Sequence, residues 1–347
     1  EGGVNLLLVG TDSCEGQSVE LFPRCAHDDG GERNDVTMLV HIGDDPRRVT
    51  VVSFPRDMLV PIPSCPDPDG GHYSAMSSQM LNASYMYGGL PCTALTIEAL
   101  TGIDIQFAAA IRWTGVIAMS DAIGGVEVCL ADDIDDAHTG LHLTKGTHTL
   151  KGVKALQFLR LRHGAADGSD LGRISNQQQF MSSLVRRLQS EDVLSDPATL
   201  FSLANTAIQQ TTDGQLVLSD KLANPTRMVQ IAMAVKDVAY EDIVFVQYPT
   251  YYEQADGGSR VRPLTDAAAV LFDALKKNQA IELTGKTAPA QNAPEVIGEA
   301  TPSPDASSSA TPGATASPEP TEEAVELPSV ITGTDATQIT CTQSETG

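Results

Sequence analysis

Basic residues are scarce in this chain, and the placement of arginine in two short segments stands out. Lys and Arg together number 22, against 45 Asp and Glu, in 347 residues. Arg56 ends an apolar run at residues 49–54, Arg160 and Arg162 form an i, i+2 pair, and Arg173 follows at a predicted helix start. Guanidinium groups pair with phosphate oxygens, and a helix start adds backbone N–H donors. The spacing is typical of a phosphate site, with salt bridges to the many acidic residues as the alternative.

Two aspartates stand at the ends of other apolar runs. Asp12 follows the run at residues 4–10, and Asp35 directly precedes the run at 36–42, with Arg33 close by. Two such carboxylates could hold Mg²⁺ while arginines hold a phosphate, because magnesium takes few protein carboxylates and completes its shell with phosphate oxygens and water. Solvated loop aspartates are the alternative that spacing leaves open.

Alternating strands and helices must position these side chains. The apolar run at 4–10 predicts a strand buried on both faces, whereas helical spacing of apolar residues predicts helices elsewhere. Strands are predicted at residues 4–10, 36–42, 49–54, 126–130 and 243–248, and helices at 92–100, 112–123, 151–161, 172–188, 196–211, 225–235 and 265–278. This alternation predicts an α/β fold, namely a single three-layer α/β/α domain with a central mixed sheet.

The composition changes sharply near Lys286. From there to the last residue the chain contains eight Pro and no Phe, Trp or Tyr. Such a segment cannot bury enough apolar area to offset its conformational entropy. We therefore expect a folded domain at residues 1–285 and a flexible acidic tail at 286–347 that is rich in Pro, Ser and Thr, with Cys341 tethering its end to the domain.

The cysteines and the net charge limit the class of protein. The six cysteines contain no CxxC pair, which favours disulfides in an oxidising compartment over a metal site. Proximity in sequence suggests Cys14–Cys25 and Cys65–Cys92, and elimination leaves Cys129–Cys341; other pairings, and free thiols in a cytosolic protein, stay open. A formal charge of −23 and a pI near 4.5 argue against nucleic acid as the main partner.

Taken together and in this order, the segments resemble the LytR-CpsA-Psr family of bacterial envelope proteins. Each segment is unspecific by itself, but the ordered set is specific over residues 5–188, and the end of the chain is similar to actinobacterial members. The segments lie at residues 5–12, 33–39, 53–57, 81–85, 121–126, 150–152, 155–162, 170–173 and 177–178.

The resemblance implies a fold and an activity. Family members move a glycopolymer from a polyprenyl-pyrophosphate carrier to an acceptor hydroxyl, usually the muramic acid 6-hydroxyl of peptidoglycan, and release the polyprenyl phosphate. Mg²⁺ is the expected cofactor, with Mn²⁺ as the alternative. The family is usually anchored to the cytoplasmic membrane on its outer side by a helix that precedes the matching domain, so we expect an extracytoplasmic location and an anchor that this sequence does not contain.

The resemblance also assigns roles to residues at matching positions. Asp12 and Asp35 would bind the metal, and Gln177 would donate a hydrogen bond to the substrate. Asp170 would either orient arginines or accept the acceptor's proton. The phosphates would be neutralised by Arg56, Arg160, Arg162 and Arg173, with Arg33 on the same rim. Asn176 stands where relatives often have Arg, and the loop between the two aspartates is longer than usual.

The carrier lipid requires an apolar slot. Residues 105–111, three α-helical positions (Val116, Ile117 and Met119) and the pair Phe158 and Leu159 are candidates, with ordinary core packing as the alternative.

Three other functions compete with transfer to peptidoglycan: transfer to a cell-surface protein, hydrolysis of the lipid pyrophosphate, and capture of lipid-linked polymers without turnover. Regulation of transcription through DNA fits poorly with the negative charge and the lack of a basic helix.

Overall fold

A seven-stranded mixed sheet lies at the centre of the fold, with helices on both faces. The computed structural model describes residues 3–27, 31–161, 170–190, 193–253, 260–285, 295–300 and 324–344. The helices are α1 (Gly89–Thr101), α2 (Trp113–Ala122), α3 (Val153–Leu159), α4 (Asp170–Gln189), α5 (Pro197–Thr212), α6 (Pro225–Ala234) and α7 (Thr265–Lys276).

Most of the strands are short. In chain order they are β1 (Val4–Thr11), β2 (Asn34–Ile42), β3 (Val49–Ser53), β4 (Leu59–Ile62), β5 (Cys65–Pro66), β6 (His72–Tyr73), β7 (Met76–Met80), β8 (Phe107–Ile111), β9 (Val126–Leu130), β10 (Ile134–Asp136), β11 (Leu141–Leu143), β12 (Gly146–Leu150), β13 (Leu216–Leu218), β14 (Ile243–Gln247), β15 (Thr250–Tyr252), β16 (Val261–Pro263), β17 (Ile281–Leu283), β18 (Glu295–Glu299), β19 (Val325–Leu327), β20 (Gly333–Asp335) and β21 (Gln338–Thr342).

The central sheet has the strand order β13-β8-β1-β2-β3-β14-β20. Strand β1 pairs parallel to β8 and antiparallel to β2, and β3 pairs parallel to β14. One face packs through Leu7 and Leu39 against α1 and α7. The other face packs against α4, α5 and α6, with Ala109 and Ala207 in that core. This confirms the predicted three-layer α/β/α fold with a mixed sheet.

Strand β1 is not buried equally on its two faces. Alternate residues such as Leu7 and Val9 are fully buried, whereas Leu6 and Leu8 are half-buried. The prediction of burial on both faces was therefore wrong for one face. An apolar run cannot distinguish a strand packed on both faces from one that borders an apolar cleft, and Leu8 borders such a cleft.

A second, four-stranded sheet with the order β12-β9-β21-β18 packs against α3 and α4. Its strand β21 comes from the end of the chain, and Cys129 of β9 is bonded to Cys341 of β21. The other disulfides join Cys14 to Cys25 and Cys65 to Cys92, so the pairing agrees with the one suggested by sequence proximity and elimination.

The end of the chain belongs to the folded domain, which differs from a tail that begins at Lys286. Strand β20 pairs with β14 at the edge of the central sheet, and Ile331 is fully buried. The Thr342 hydroxyl donates to Asn176 Oδ1 at 2.8 Å, so α4 also holds this end. Composition counted over residues 286–347 was dominated by the Pro- and Ser-rich middle and hid the short apolar runs near the end.

The predicted helices agree with α1 to α7 within a few residues, and the five predicted strands are present. None of the other sixteen strands that the structure describes was predicted. Ten of them have only two or three residues, which carry too little periodicity, and the central strand β8 lies in the segment that was considered only as a candidate lining of the apolar slot. In the part of the chain that the structure describes, no helix has both the length and the apolar character to cross a membrane.

Candidate functional site

The two aspartates and the first arginine lie at one edge of the central sheet. Because β2 runs antiparallel to both β1 and β3, the start of β2 lies beside the ends of its two neighbours. Asp12 follows β1, Asp35 is the second residue of β2, and Arg56 follows β3. Strand β8, parallel to β1, ends at the same edge and is followed by Trp113. The topology therefore brings together residues that are far apart in sequence.

Asp35 lies between two arginines. Its Oδ1 accepts from Arg56 Nη1 at 2.6 Å, and its backbone carbonyl accepts from Arg173 Nη2 at 2.9 Å. Burial raises the pKa of the Asp35 carboxyl, but the charges of Arg173 and Arg56 outweigh burial and hold the pKa below its ordinary value. Asp35 is therefore ionised, and its charge compensates two guanidinium groups that are largely removed from solvent.

Asp12 is held by the loop that follows it. Its Oδ1 accepts from the backbone N–H of Arg33 at 3.0 Å, and its Oδ2 lies 3.5 Å from Arg24 Nη2. Burial and the charge of Asp35 raise the pKa of the Asp12 carboxyl. The two carboxylates are thus close enough to repel each other. Arg33 contributes its backbone here, and its side chain is exposed.

The carboxylates of Asp12 and Asp35 offer the oxygen ligands that a divalent cation takes. Hard oxygen ligands suit Mg²⁺ and Mn²⁺, and a cation would relieve the repulsion that raises the pKa of Asp12. In the described ranges no group of three or more His, Cys, Asp or Glu side chains could hold a metal ion. The remaining ligands of a cation here would therefore have to come from water or a bound substrate.

Arg160 lies against the single tryptophan of the chain. Its guanidinium carbon is 4.3 Å from the ring centroid of Trp113, and that of Arg24 is 4.5 Å from the same centroid. Burial, followed by the charge of Arg24, lowers the pKa of Arg160. The sequence analysis missed Trp113 and Arg24: Trp113 lies within the helix predicted at residues 112–123, and Arg24 lies in a segment for which no element was predicted.

Helices α3 and α4 fix the remaining predicted residues. Gln177 is buried, and its Nε2 donates to the carbonyl of Leu159 at 3.1 Å, which holds the turn that carries Arg160. Arg173 is 5% exposed and lies in the first turn of α4. Arg162 and the side chain of Asp170 lie outside the described residues.

An apolar cleft of about 380 Å³ opens beside these side chains. One end carries Asp35, Arg160, Arg173 and Gln177, and the rest of the lining is almost wholly apolar. The apolar lining is Leu8, Val9, Gly10, Val36, Met38, Ala109, Ile111, Trp113, Val116, Met119, Leu156, Leu159, Met181, Leu184 and Leu216. Of the candidates for an apolar slot, residues 109 and 111, Val116, Met119 and Leu159 line the cleft. Ile117 and Phe158 pack in neighbouring cores instead.

The segment at residues 81–85 positions Arg56 and Asn34 through backbone hydrogen bonds. The backbone N–H of Asn82 donates to the Arg56 carbonyl at 3.0 Å, and that of Tyr85 donates to Asn34 Oδ1 at 3.3 Å. Asn34 is fully buried and directly precedes Asp35. This segment, which carried part of the family resemblance, therefore positions both partners of the Arg56–Asp35 pair.

The sequence analysis also missed a second ion pair, between Arg112 and Glu32, which lies near Asp12. Arg112 donates through Nε and Nη2 to the two carboxylate oxygens of Glu32 at 3.0 and 2.7 Å. Glu32 Oε1 also accepts from the hydroxyl of Thr11. This bidentate pair ties the loop that precedes β2 to the end of β8.

Comparison with known families gives the class of protein to which this fold and site belong. The family model described as LytR_cpsA_psr family matches residues 1–277. The chain belongs to the LytR-CpsA-Psr family.

Two curated relatives show the range of similarity. The cell wall biosynthesis protein LcpA of Corynebacterium glutamicum is 30% identical over 231 residues, which cover 59% of this chain and 43% of the relative. The polyisoprenyl-teichoic acid–peptidoglycan teichoic acid transferase TagU of Bacillus cereus is 28% identical over 184 residues, or 53% of this chain and 52% of the relative. The chain thus spans about half the length of the curated relatives it matches.

Solved structures share the fold. A LytR-Csp2A-Psr enzyme from Actinomyces oris superposes with a TM-score of 0.58 at 22% identity, over 79% of this chain and 90% of the other. TagT bound to LIIa-WTA superposes with a TM-score of 0.57 at 19% identity, over 80% and 91% of the two chains. At these identities the likeness establishes the architecture alone.

Proposed function

We propose that this protein is a glycopolymer phosphotransferase of cell-wall assembly. Its substrate would be a glycan linked through pyrophosphate to a polyprenyl carrier, and its acceptor a hydroxyl of peptidoglycan. The observation that carries the proposal is the position of Arg160 and Arg173 at the charged end of an otherwise apolar cleft. The names of its relatives LcpA and TagU, which refer to cell wall biosynthesis and to transfer of teichoic acid to peptidoglycan, support it.

The cleft and the arginines match the two parts of such a donor. A polyprenyl chain is wholly apolar, so its transfer from water into a cleft with apolar walls is favourable. A diphosphate needs paired N–H donors, which guanidinium groups supply. In a chain with a formal charge of −23, a diphosphate would be repelled unless cations were gathered locally. Arg56, Arg160 and Arg173 meet that need.

In the proposed transfer the acceptor hydroxyl oxygen forms a bond to the glycan-linked phosphorus. The bridging P–O bond breaks, and polyprenyl phosphate leaves with the electron pair of that bond. The hydroxyl proton must pass to a base, for which Asp170 is the candidate from the sequence. Arg56 and Arg173 would stabilise the charge that develops on the phosphoryl oxygens, so catalysis rests on positioning and charge compensation.

Asp12 and Asp35 are the residues that would hold Mg²⁺, with Mn²⁺ as the alternative. A cation bound there would neutralise diphosphate oxygens. The ion pair between Asp35 and Arg56 keeps the carboxylate ionised and oriented, and the backbone N–H of Arg33 does the same for Asp12.

We also propose that the domain works on the outer side of the cytoplasmic membrane, held there by an anchor. Its three disulfides support an oxidising compartment.

The test is a transfer assay with a labelled polyprenyl-pyrophosphate glycan, with and without peptidoglycan fragments as acceptor. Formation of a glycan–peptidoglycan phosphodiester with release of polyprenyl phosphate is the expected result. Free phosphorylated glycan with every acceptor would indicate a pyrophosphatase, and a product on added surface protein would indicate protein glycosylation. Binding of the donor without any product would indicate a capture module.

A further inference from the structure

The chain between the two site aspartates contains a disulfide loop that packs against the site. Cys14 and Cys25 close the loop, and a short 3-10 helix, Pro23–Ala26, contains the second cysteine. Phe22 is buried, with its ring centroid 4.7 Å from that of Trp113. The disulfide therefore closes the loop on itself, and the aromatic contact fixes the loop to the domain.

Arg24 is the residue that this loop brings to Trp113, which lines the cleft. Its guanidinium carbon lies 4.5 Å from the ring centroid of Trp113, and that of Arg160 lies 4.3 Å from the same point. Arg24 Nη2 also donates to the backbone carbonyl of Asp12 at 2.6 Å, and its side chain is 50% exposed. The Trp113 ring and the Asp12 carbonyl thus orient the guanidinium group of Arg24, and the side chain remains accessible to a ligand.

Two guanidinium groups held on one indole ring repel each other. Contact with an aromatic ring favours each cation singly but does not remove the repulsion between them. An anion that reaches both groups does remove it, and Trp113 and Arg160 line the cleft where the proposed diphosphate would lie. The neighbouring carboxylate of Asp12 compensates part of this charge, at 3.5 Å from Arg24.

We propose that Arg24 binds a phosphate of the lipid diphosphate, as a further cation that the disulfide loop supplies to the site. Trp113 and the Cys14–Cys25 bond position it. This inference rests on the proposed function, because it adds a contact to the same substrate.

A competing explanation is that Arg24 does no more than pair with Asp12. If Arg24 only compensates the charge of Asp12, Arg24→Ala weakens diphosphate binding only while Asp12 is charged. In an Asp12→Asn background, Arg24→Ala therefore still weakens binding if Arg24 contacts a phosphate and has no effect if it only pairs with Asp12. Replacement by Lys separates them further, because Lys keeps the charge but loses the planar fork that stacks on the ring.

Isothermal titration of the protein with geranylgeranyl diphosphate in metal-free buffer tests the inference. Arg24→Ala should weaken binding about tenfold, which is about 1.4 kcal/mol, and Arg24→Lys should fall between the wild type and Arg24→Ala. Arg47→Ala is the matched control, because Arg47 is exposed and lies beside Val4, at the opposite end of β1. Circular dichroism verifies that each variant is folded.

The double substitution Cys14→Ser, Cys25→Ser tests how Arg24 is positioned. It should weaken binding as much as Arg24→Ala does. Adding Arg24→Ala to it should cause no further loss of affinity, because both changes remove the same contact between Arg24 and the phosphate. Wild-type affinity in the double variant would overturn the role of the disulfide. If the double variant does not fold, the comparison of Arg24→Ala with Arg24→Lys still decides the role of Arg24.

Failure of the inference and failure of the proposed function give different results. Wild-type affinity in Arg24→Ala together with a loss in Arg56→Ala would overturn the role of Arg24 and leave the proposed function intact. No measurable binding of the diphosphate to the wild-type protein, either in metal-free buffer or with Mg²⁺, would overturn the proposed function, and the inference with it.

Discussion

Arg56 Nη1 and Asp35 Oδ1 lie 2.6 Å apart at one edge of the central sheet. Arg173 approaches the same aspartate from α4, with Nη1 4.0 Å from the other carboxylate oxygen. One carboxylate therefore orients two arginines that come from distant parts of the chain. A pair of this kind keeps both guanidinium groups in place before a diphosphate binds, which reduces the reorganisation that binding requires.

Removal of Arg56 should abolish turnover with little effect on folding. Arg56→Ala deletes a charge-assisted hydrogen bond to the diphosphate and is expected to lower the transfer rate on the order of 10²-fold to 10³-fold. Arg173 still compensates the charge of Asp35 when Arg56 is absent, so we expect the melting temperature to change by a few degrees only. Transfer assays and thermal unfolding of the same preparation check both statements. Loss of folding with Arg56→Ala would favour a purely structural ion pair.

The Arg56–Asp35 pair should also appear in the pH dependence of stability. The pKa of Asp35 is lower in the folded protein than in the unfolded chain. Ionised Asp35 thus contributes stability that is complete above its unfolded pKa of about 3.9 and is lost as the pH falls through the folded value. Urea unfolding from about pH 7 to pH 3 should show this loss in the wild type.

Two variants, Asp35→Asn and Arg56→Ala, test this pH dependence of stability. In Asp35→Asn this component of the pH dependence should be absent. In Arg56→Ala the folded pKa of Asp35 moves up toward its unfolded value, so the loss of stability at acid pH should be smaller than in the wild type. Identical pH profiles for the wild type and Asp35→Asn would contradict the assigned ion pair.

The apolar cleft should contribute to the affinity for the apolar part of a ligand and not to the affinity for its phosphates. Ala109 lines the cleft from β8, and Ala109→Phe places a ring in it. We expect affinity for geranylgeranyl diphosphate to fall at least about tenfold while affinity for inorganic pyrophosphate is unchanged, because the apolar part of the ligand is displaced. Ala234→Phe is the control, since Ala234 borders a different cavity of about 280 Å³. Equal losses for both ligands would show that the cleft does not hold the chain.

The Cys129–Cys341 disulfide should contribute most to stability among the three. It joins residues 212 positions apart, against 27 for Cys65–Cys92, and the loss of chain entropy in the unfolded state grows with this separation. Replacing both cysteines of the long-range bond with Ser should lower the free energy of unfolding by up to about 5 kcal/mol, against about 3.5 kcal/mol for the shorter loop. Urea unfolding measures both values, and a larger loss for the shorter loop would contradict this order.

Periodicity and motif order predicted the helices, the long strands and the grouping of Asp12, Asp35, Arg56, Arg160 and Arg173. These residues carry local signals, because each stands next to an apolar run or in a helix with a clear pattern. Trp113 and Arg24 were missed since their contact depends on how a disulfide loop folds over the end of β8, and no local pattern encodes that.

The end of the chain shows a second limit of sequence analysis. Ile331 is fully buried, and Thr342 bonds to Asn176 in α4 across 166 positions. Short runs that pair with distant strands have no periodicity of their own. Asn176, which had no assigned role, binds the end of the chain here, and this contact accounts for a residue that departs from the family pattern.

The most direct test of the site is a crystal structure of the protein with geranylgeranyl diphosphate. We expect the diphosphate oxygens within hydrogen-bond distance of Arg56, Arg160 and Arg173, and the apolar chain in the cleft that Leu8 and Ala109 line. Density for the diphosphate at another surface, or for the chain outside this cleft, would contradict the account.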